Sequence, residues 1–176
     1  MEKEESGQEK LPEIEGLALR YTVMEDVEPL KRWLQEPGIL RGFPMQDQLE
    51  VDDSAKHWIG FSKYKSSLTA TIDGKPVGIC TLCLMPYRKL AHQGLLSIIV
   101  SYEARGKGVG TVLINNLIHL AKEYFGIEVL YLEVYEGNRA ISLYHRFGFR
   151  EVGYQKHFMK ESSGEYVGKI VMERIL

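Results

Sequence analysis

Residues 105–110 read Arg105-Gly-Lys-Gly-Val-Gly110, and this glycine-rich stretch decides how the rest of the chain is interpreted. An apolar run at residues 95–100 precedes it, and apolar residues at helical spacing follow from Val109 to Tyr124. The pattern therefore predicts a strand, a glycine loop and a helix. Glycines let the main chain approach a ligand closely, and amides at a helix N-terminus carry the positive end of the helix dipole. Such a loop suits phosphate, and the cationic side chains of Arg105 and Lys107 favour a pyrophosphate.

Two common phosphate-binding loops do not fit this stretch. A Walker loop has Gly-Lys followed by Ser or Thr, whereas Lys107 is followed by Gly108. The dinucleotide fingerprint requires a third glycine where this chain has Thr111, and the preceding strand belongs to an antiparallel region. For the loop taken alone, a tight turn without a ligand remains the alternative.

The segments around the loop predict one α+β domain. Asp73-Gly74 joins two strand-like runs within residues 68–84, which is typical of a β-hairpin. Residues 1–15 are polar and aperiodic, so we predict a disordered segment followed by a single domain over residues 16–176. Further strands are predicted at residues 129–135, 153–159 and 166–172, and helices at residues 24–35, after residue 54 and at residues 138–147.

Composition argues against several classes of partner. The 176 residues are 44% hydrophobic and 26% charged, with a net charge of -2, so the basic excess of nucleic-acid binders is missing. No apolar run is long enough to span a membrane, and no signal peptide is recognisable, which favours a cytoplasmic location. Cys80 and Cys83 fall on opposite faces of a predicted strand, so we expect buried structural cysteines and no metal site.

Two separated motifs resemble the GNAT superfamily of acyl-CoA-dependent N-acetyltransferases. The family's phosphate loop reads Arg/Gln-x-x-Gly-x-Gly/Ala, which residues 105–110 match. Ala140-Ile-Ser-Leu-Tyr144-His-Arg-Phe-Gly148-Phe149 resembles the family's Ala-x-x-Leu-Tyr-x-x-x-Gly-Phe. The resemblance covers residues 17–176 and implies a mixed, mostly antiparallel central sheet flanked by helices. It also implies that acetyl-CoA binds as cosubstrate where two central strands separate.

The resemblance implies roles for individual residues. Tyr144 would protonate or hydrogen-bond the departing thiolate, although a core aromatic is the alternative. Asn138 stands one position from the family's asparagine, so it is either a cofactor contact or a helix cap. The main chain of β-strand residues and the amides of the loop would hold the cofactor, through Ile98, Ile99, Val100, Arg105, Gly106, Lys107, Gly108, Val109, Gly110 and Thr111.

A general base is needed because amines are mostly protonated at neutral pH. Glu133 lies on the more polar face of its predicted strand and matches the glutamate of the family's protein-N-terminus acetyltransferases; a solvent-facing glutamate is the alternative. The family's other base position holds Leu95 here, and His92 is a weaker candidate that would act through water. No cysteine is predicted near the loop, which favours direct attack by the amine over a covalent intermediate.

The acceptor stays open between a small molecule, a polyamine and a protein N-terminus. An acidic cluster, consisting of Glu36, Asp47, Glu50, Asp52 and Asp53, would attract a cationic amine if it bordered the cleft. A non-catalytic acyl-CoA-binding sensor or interaction module is the alternative function, and a homodimer is compatible with the sequence.

Overall fold

The computed structural model describes residues 11–39 and 42–176. Within them the chain forms four α-helices and seven β-strands, joined by short 3₁₀ turns. In chain order these are β1 (Leu17–Tyr21), α1 (Val27–Leu34), α2 (Gln48–Ile59), β2 (Ser67–Ile72), β3 (Lys75–Leu84), β4 (Gln93–Val100), α3 (Val109–Glu123), β5 (Val129–Tyr135), α4 (Ile141–Arg146), β6 (Arg150–Lys160) and β7 (Tyr166–Ile175).

The strands form one sheet in the order β1-β2-β3-β4-β5-β7-β6. Every neighbouring pair is antiparallel except β4 and β5, which run parallel. The predicted hairpin is present between β2 and β3, and Asp73 at its tip has a φ of 50°, in the left-handed region that a tight turn requires. The prediction of a mixed, mostly antiparallel sheet flanked by helices is confirmed.

The two central strands separate partway along their length. β4 and β5 pair only through Gln93↔Val129, Gly94↔Leu130 and Leu95↔Tyr131. Residues 96–100 continue to pair with β3 on their other side, as far as Gly78↔Val100. One edge of β4 therefore has no partner strand over residues 96–100, and a cleft opens there.

Hydrophobic residues on both faces of the sheet hold the helices in place. The stripe predicted along α3 buries Leu113 and Leu117 completely against one face, together with Phe149. On the other face α1 and α2 cover Ile79 and Ile99. Each fully buried side chain of this size contributes roughly 1.5–3 kcal/mol, so the two layers fix the orientation of β4 between them.

The start of α2 differs from the sequence prediction, which placed a helix after residue 54. The helix begins at Gln48 because the Asp47 side chain accepts a hydrogen bond of 2.9 Å from the Glu50 amide. Glu50 in turn accepts a bond of 2.7 Å from the Gln46 amide. This N-terminal cap satisfies amides that have no partner within the helix, and it was not recognised in the sequence. α4 is also shorter than predicted, covering only Ile141–Arg146.

A chain of buried hydroxyl groups ties α2 to the sheet. The Trp58 indole nitrogen donates to Oγ1 of Thr81 at 2.8 Å, and that hydroxyl is 2.6 Å from Oγ of Ser67. Thr22 then donates to Ser67 at 2.8 Å. The side chain of Trp58 is thereby held in a fixed position on β3.

The same network ends at a buried carboxylate. Asp26 accepts two bonds from the Arg20 guanidinium, at 2.7 and 2.8 Å, and one of 3.0 Å from the Val23 amide. Thr69 donates a further bond at 2.8 Å. Burial alone would raise the pKa of Asp26, but these hydrogen bonds outweigh it and hold the pKa below its usual range.

Residues just before β1 pack against the rest of the molecule. Ile14 contacts the core beneath α3, and its carbonyl accepts a hydrogen bond of 3.1 Å from Leu17. A Cβ atom at Gly108 would lie 2.6 Å from Cγ of Pro12, so Pro12 rests directly on the glycine loop. The predicted domain start at residue 16 therefore leaves out residues that touch the loop, and residues 1–10 of the predicted disordered segment lie outside the described residues.

Candidate functional site

The separation of β4 and β5 opens the main cleft of the described residues. One wall comes from β4 and the glycine loop, and the other comes from β5, α4 and the turn between β6 and β7. Phe43 and Pro44, from the connection between α1 and α2, close one end. The sequence-predicted residues that line it include Ile98, Ile99, Glu133, Asn138 and Tyr144.

The glycine loop presents main-chain amides without partners. Among the described residues, no acceptor is hydrogen-bonded to the amides of residues 106–111. Gly106 and Gly108 have φ values of 71° and 90°, in the left-handed region that glycine tolerates best. These amides lie just before and within the first turn of α3, where the helix dipole favours an anion. The loop has the conformation and the free donors that a phosphate group needs.

Arg105 is engaged within the protein. Its Nε donates to the Val100 carbonyl at 2.9 Å, and its Nη2 lies 3.3 Å from Glu36 Oε2. Glu36 also accepts bonds of 3.0 and 3.2 Å from the Tyr102 amide. Both groups of the guanidinium therefore have partners within the protein, and a contact between Arg105 and the cofactor stays a prediction. The guanidinium fastens the loop to the end of β4.

β4 contributes mostly main-chain atoms to the cleft, and fewer side-chain atoms. Ile98 packs toward α3, and Ile99 is 4% exposed beneath α1 and α2. Because successive side chains alternate across the sheet, the unpaired strand edge is what remains for a ligand to bind. The carbonyl of Val100, by contrast, is already occupied by Arg105.

Tyr144 lies on α4 with its ring buried and its hydroxyl unpaired. The side chain is 7% exposed and contacts Phe149 edge to face at 6.2 Å. No described residue hydrogen-bonds to the hydroxyl, and the residue lines the cleft. Burial, and next the nearby Cys80 thiol, raise the pKa of Tyr144 well above its usual value. The phenol therefore stays protonated at neutral pH and can donate a proton or a hydrogen bond.

Glu133 lies on the exposed face of β5, as predicted, but it is not simply solvated. Its Oε1 accepts a hydrogen bond of 2.9 Å from Nζ of Lys169 on β7. The Glu133 side chain is 38% exposed and faces the cleft, whereas that of Lys169 is 13% exposed. Sequence reasoning missed Lys169, because nothing local marks a residue 36 positions away as a partner.

Asn138 caps the turn before α4. Its Oδ1 accepts a hydrogen bond of 2.9 Å from the Ala140 amide, an Asx turn that leads into the helix, whose N-cap position is Ala140 itself. A Cβ atom at Gly42 would lie 3.7 Å from Nδ2, so this nitrogen approaches the connection between α1 and α2 at the end of the cleft. A cofactor contact by Asn138 remains a prediction.

The two cysteines differ in burial and in what they line. Cys80 is fully buried in the core beneath α3, as expected, but Cys83 lines the cleft. The expectation of buried structural cysteines therefore holds for Cys80 but not for Cys83, which is half-buried. Its Sγ is 3.8 Å from Oγ of Ser97, and burial raises the pKa of the Cys83 thiol to about 11. At neutral pH the sulfur is a protonated thiol, a poor nucleophile.

The two other proposals for charged groups are corrected by the structure. His92 is not among the described residues that line the cleft; its carbonyl accepts bonds from the amides that begin β5. His57 of α2 does line the cleft and had not been singled out. The acidic cluster does not border the cleft, because its members cap α2, pair with neighbouring cations or hold the loop, as described for Glu36.

Two kinds of feature are absent from the described part of the chain. Residues 11–39 and 42–176 contain no group of three or more His, Cys, Asp or Glu side chains that could hold a metal ion. None of the helices described is long and apolar enough to cross a membrane.

Comparison with known proteins agrees with this geometry. Residues 27–149 match the model of the acetyltransferase (GNAT) family. A [ribosomal protein bS18]-alanine N-acetyltransferase from Haemophilus influenzae is 38% identical over 77 residues, covering 44% of this chain and 51% of the relative. This chain spans about half the length of the curated relatives it matches first.

Solved structures extend the similarity to most of the chain. A ribosomal-protein-alanine N-acetyltransferase from Brucella melitensis superposes with a TM-score of 0.76 at 25% identity, over 90% of this chain and 99% of that one. A protein from Salmonella typhimurium, solved with its cofactor acetyl-CoA, gives a TM-score of 0.77 at 17% identity, over 92% of this chain and 94% of that one. With the free amides of the loop, the separated strands and a family model that matches well over half of its length, this chain belongs to the GNAT family of acetyltransferases.

Proposed function

We propose that this chain transfers an acetyl group from acetyl-CoA to a primary amine by direct attack. The observation that supports it most is the coincidence of three features in one cleft. These are the unpaired amides of residues 106–111, the free edge of β4 and the unpaired hydroxyl of Tyr144. The amides suit the pyrophosphate of acetyl-CoA, and the strand edge suits its amide-containing pantetheine arm.

The chemistry requires two proton transfers, and two residues of the cleft can make them. A neutral amine attacks the thioester carbon, so that a carbon–nitrogen bond forms and the carbon–sulfur bond breaks. Glu133 takes one proton from the nitrogen, directly or through water, and Tyr144 gives one proton to the departing sulfur. Both residues return to their starting states by exchange with water. A free main-chain amide of β4 can stabilise the negative charge that develops on the carbonyl oxygen.

Direct attack is favoured over a covalent acyl-enzyme. The side chain that would have to carry the acetyl group is Cys83, because Cys80 is sealed in the core. A thiol with a pKa of about 11 holds a negligible fraction of thiolate at neutral pH, and no described cation pairs with it.

The acceptor is proposed as a primary amine, with protein N-termini tested first. Two of the relatives named above are described as acting on alanine of ribosomal proteins, which makes an alanine-initiated peptide the first substrate to try. Polyamines and small amines form the rest of the panel. We expect no polyamine advantage from the acidic cluster, because it does not line the cleft.

The test combines binding with turnover. Calorimetry with acetyl-CoA, and thiol release with the acceptor panel, should show binding and acceptor-dependent turnover. Tyr144→Phe should lower kcat by about ten-fold to a thousand-fold and leave acetyl-CoA affinity nearly unchanged, because only a proton donor is lost. Tyr124→Phe is the matched control, since Tyr124 is 71% exposed and does not line the cleft.

The alternative function gives a different outcome. A non-catalytic acyl-CoA-binding module would bind acetyl-CoA and release no thiol with any amine. Unchanged turnover in Tyr144→Phe would instead remove Tyr144 from the mechanism and assign it to the core.

A further inference from the structure

We propose that Lys169 is a positioning residue that holds the Glu133 carboxylate in the orientation needed to accept a proton from the acceptor amine. This inference rests on the proposed function, in which Glu133 is the base. It concerns a residue on β7 that no sequence motif marks.

The Lys169 ammonium is held on two sides. Its Nζ donates to Glu133 Oε1 at 2.9 Å and lies 3.9 Å from the centroid of the Phe158 ring. Phe158 is itself stacked on Tyr135, with centroids 5.8 Å apart and an interplanar angle of 18°. A lysine side chain that is only 13% exposed loses much of its hydration, so the contacts with Glu133 and Phe158 must compensate for the lost hydration.

The register of the sheet explains why the two charges meet. Tyr135 pairs with Lys169 and Glu133 pairs with Val171, so Glu133 and Lys169 are diagonal neighbours on one face of the sheet. Because both strands are fixed by their hydrogen-bond ladder, the ammonium stays at one point relative to the carboxylate. A solvated surface pair would lack this restriction.

The ionisable side chains that flank Glu133 on its own face of β5 are neutral. Tyr131 and Tyr135 lie on the same face of β5, and burial, followed by the charge of Glu133, raises the pKa of each. Lys169 is therefore the described cation that fixes the carboxylate. It occupies Oε1 and leaves Oε2 without a hydrogen bond from any described residue, free for the amine or a bridging water.

The test is a double-mutant cycle in the full chain, with an acceptor that the panel has identified. Lys169→Met removes the charge and keeps an apolar stem on Phe158, Lys169→Arg keeps the charge, and Glu133→Gln removes the base. Lys169→Met should lower kcat about ten-fold with little change in the KM for acetyl-CoA, and Lys169→Arg should recover it to within about three-fold. In the Glu133→Gln background, Lys169→Met should change kcat by less than about two-fold.

A matched control isolates the effect of a cation on an aromatic ring in the same hairpin. Lys160 lies 5.6 Å from the Tyr166 ring centroid and makes no contact with Glu133, so Lys160→Met should leave kcat unchanged. Thermal melting checks that each variant is folded. If Lys169→Met does not fold, Lys169→Leu replaces it, since leucine is uncharged, cannot donate to the carboxylate and still places an apolar group on Phe158.

The outcomes separate this inference from the function on which it rests. A Glu133→Gln variant with wild-type kcat would show that Glu133 is not the base and would overturn that part of the proposed function. An impaired Glu133→Gln variant together with a fully active Lys169→Met variant would overturn the inference alone. The same would follow if Lys169→Met lowered kcat equally in both backgrounds, because the lysine would then act independently of Glu133.

Discussion

Replacing Thr81 by valine should destabilise the protein through the hydroxyl network that anchors Trp58. Valine has nearly the same shape as threonine, so the change removes hydrogen bonds without opening a cavity. Thr81 is fully buried, and its hydroxyl accepts from the Trp58 indole at 2.8 Å and contacts Ser67 at 2.6 Å. Both bonds are lost in the variant.

The expected loss of stability follows from the hydrogen bonds that Trp58 and Ser67 keep when the Thr81 hydroxyl is removed. The Trp58 N–H is left without an acceptor in a buried position, which costs about 1–3 kcal/mol. Ser67 retains its bond with Thr22 and a longer one to the Cys80 carbonyl, so its loss is about 0.5–1.5 kcal/mol. The sum predicts about 1.5–4.5 kcal/mol, equivalent to a fall in Tm of roughly 3–18 °C for a domain of this size.

Urea denaturation followed by tryptophan fluorescence measures this change, and Thr71→Val is its control. Thr71 is 6% exposed on β2 and makes a single long bond of 3.4 Å to the Ala18 carbonyl, so the same substitution there should cost less than about 1 kcal/mol. If Thr81→Val is no less stable than Thr71→Val, the network does not hold Trp58 in place and the reasoning is refuted.

Two further predictions concern acid stability and the cleft thiol. The pKa of Asp26 is below its usual range in the folded state, so the stability that Asp26 contributes is present above about pH 4 and is lost as the pH falls further. The urea midpoint of the wild type should therefore drop below about pH 4. Asp26→Asn should be less stable than the wild type at neutral pH, and its urea midpoint should drop less in acid. Equal slopes would exclude Asp26 as a source of the acid sensitivity. Cys83→Ser should retain kcat within about three-fold in the thiol-release assay, since direct attack needs no sulfur on the protein, whereas a loss of several orders of magnitude would indicate an acyl carrier.

Features that depend on neighbouring residues could be predicted from the sequence. The Asp73-Gly74 hairpin and the apolar stripe of α3 were predicted because turn chemistry and helical spacing are local properties. The loop at residues 105–110 and the placement of Tyr144 in the cleft followed from short motifs of the same kind.

Interactions between distant residues could not be predicted in this way. Arg105 meets Glu36 across 69 positions, and Glu133 meets Lys169 through the register of β5 and β7. The cleft position of Cys83 likewise depends on the separation of β4 from β5, which no single segment encodes. Such pairings are determined by the packing of the whole sheet, so a charge can be recognised in the sequence while its partner cannot.

Pro12 lies in the irregular segment before β1 and contacts the glycine loop at Gly108, so this segment has a structural role. Residues 11–16 belong to no strand or helix, and a trimmed version beginning at Leu17 would keep all seven strands. It would also uncover the underside of the glycine loop and remove Ile14 from the core beneath α3. The loop would then sample more conformations before an anion ordered it, and each added conformation lowers affinity without altering any atom that touches the ligand. A truncation or fusion near the N-terminus would therefore lower the affinity of the anion site, although the altered residues precede the first element of the fold.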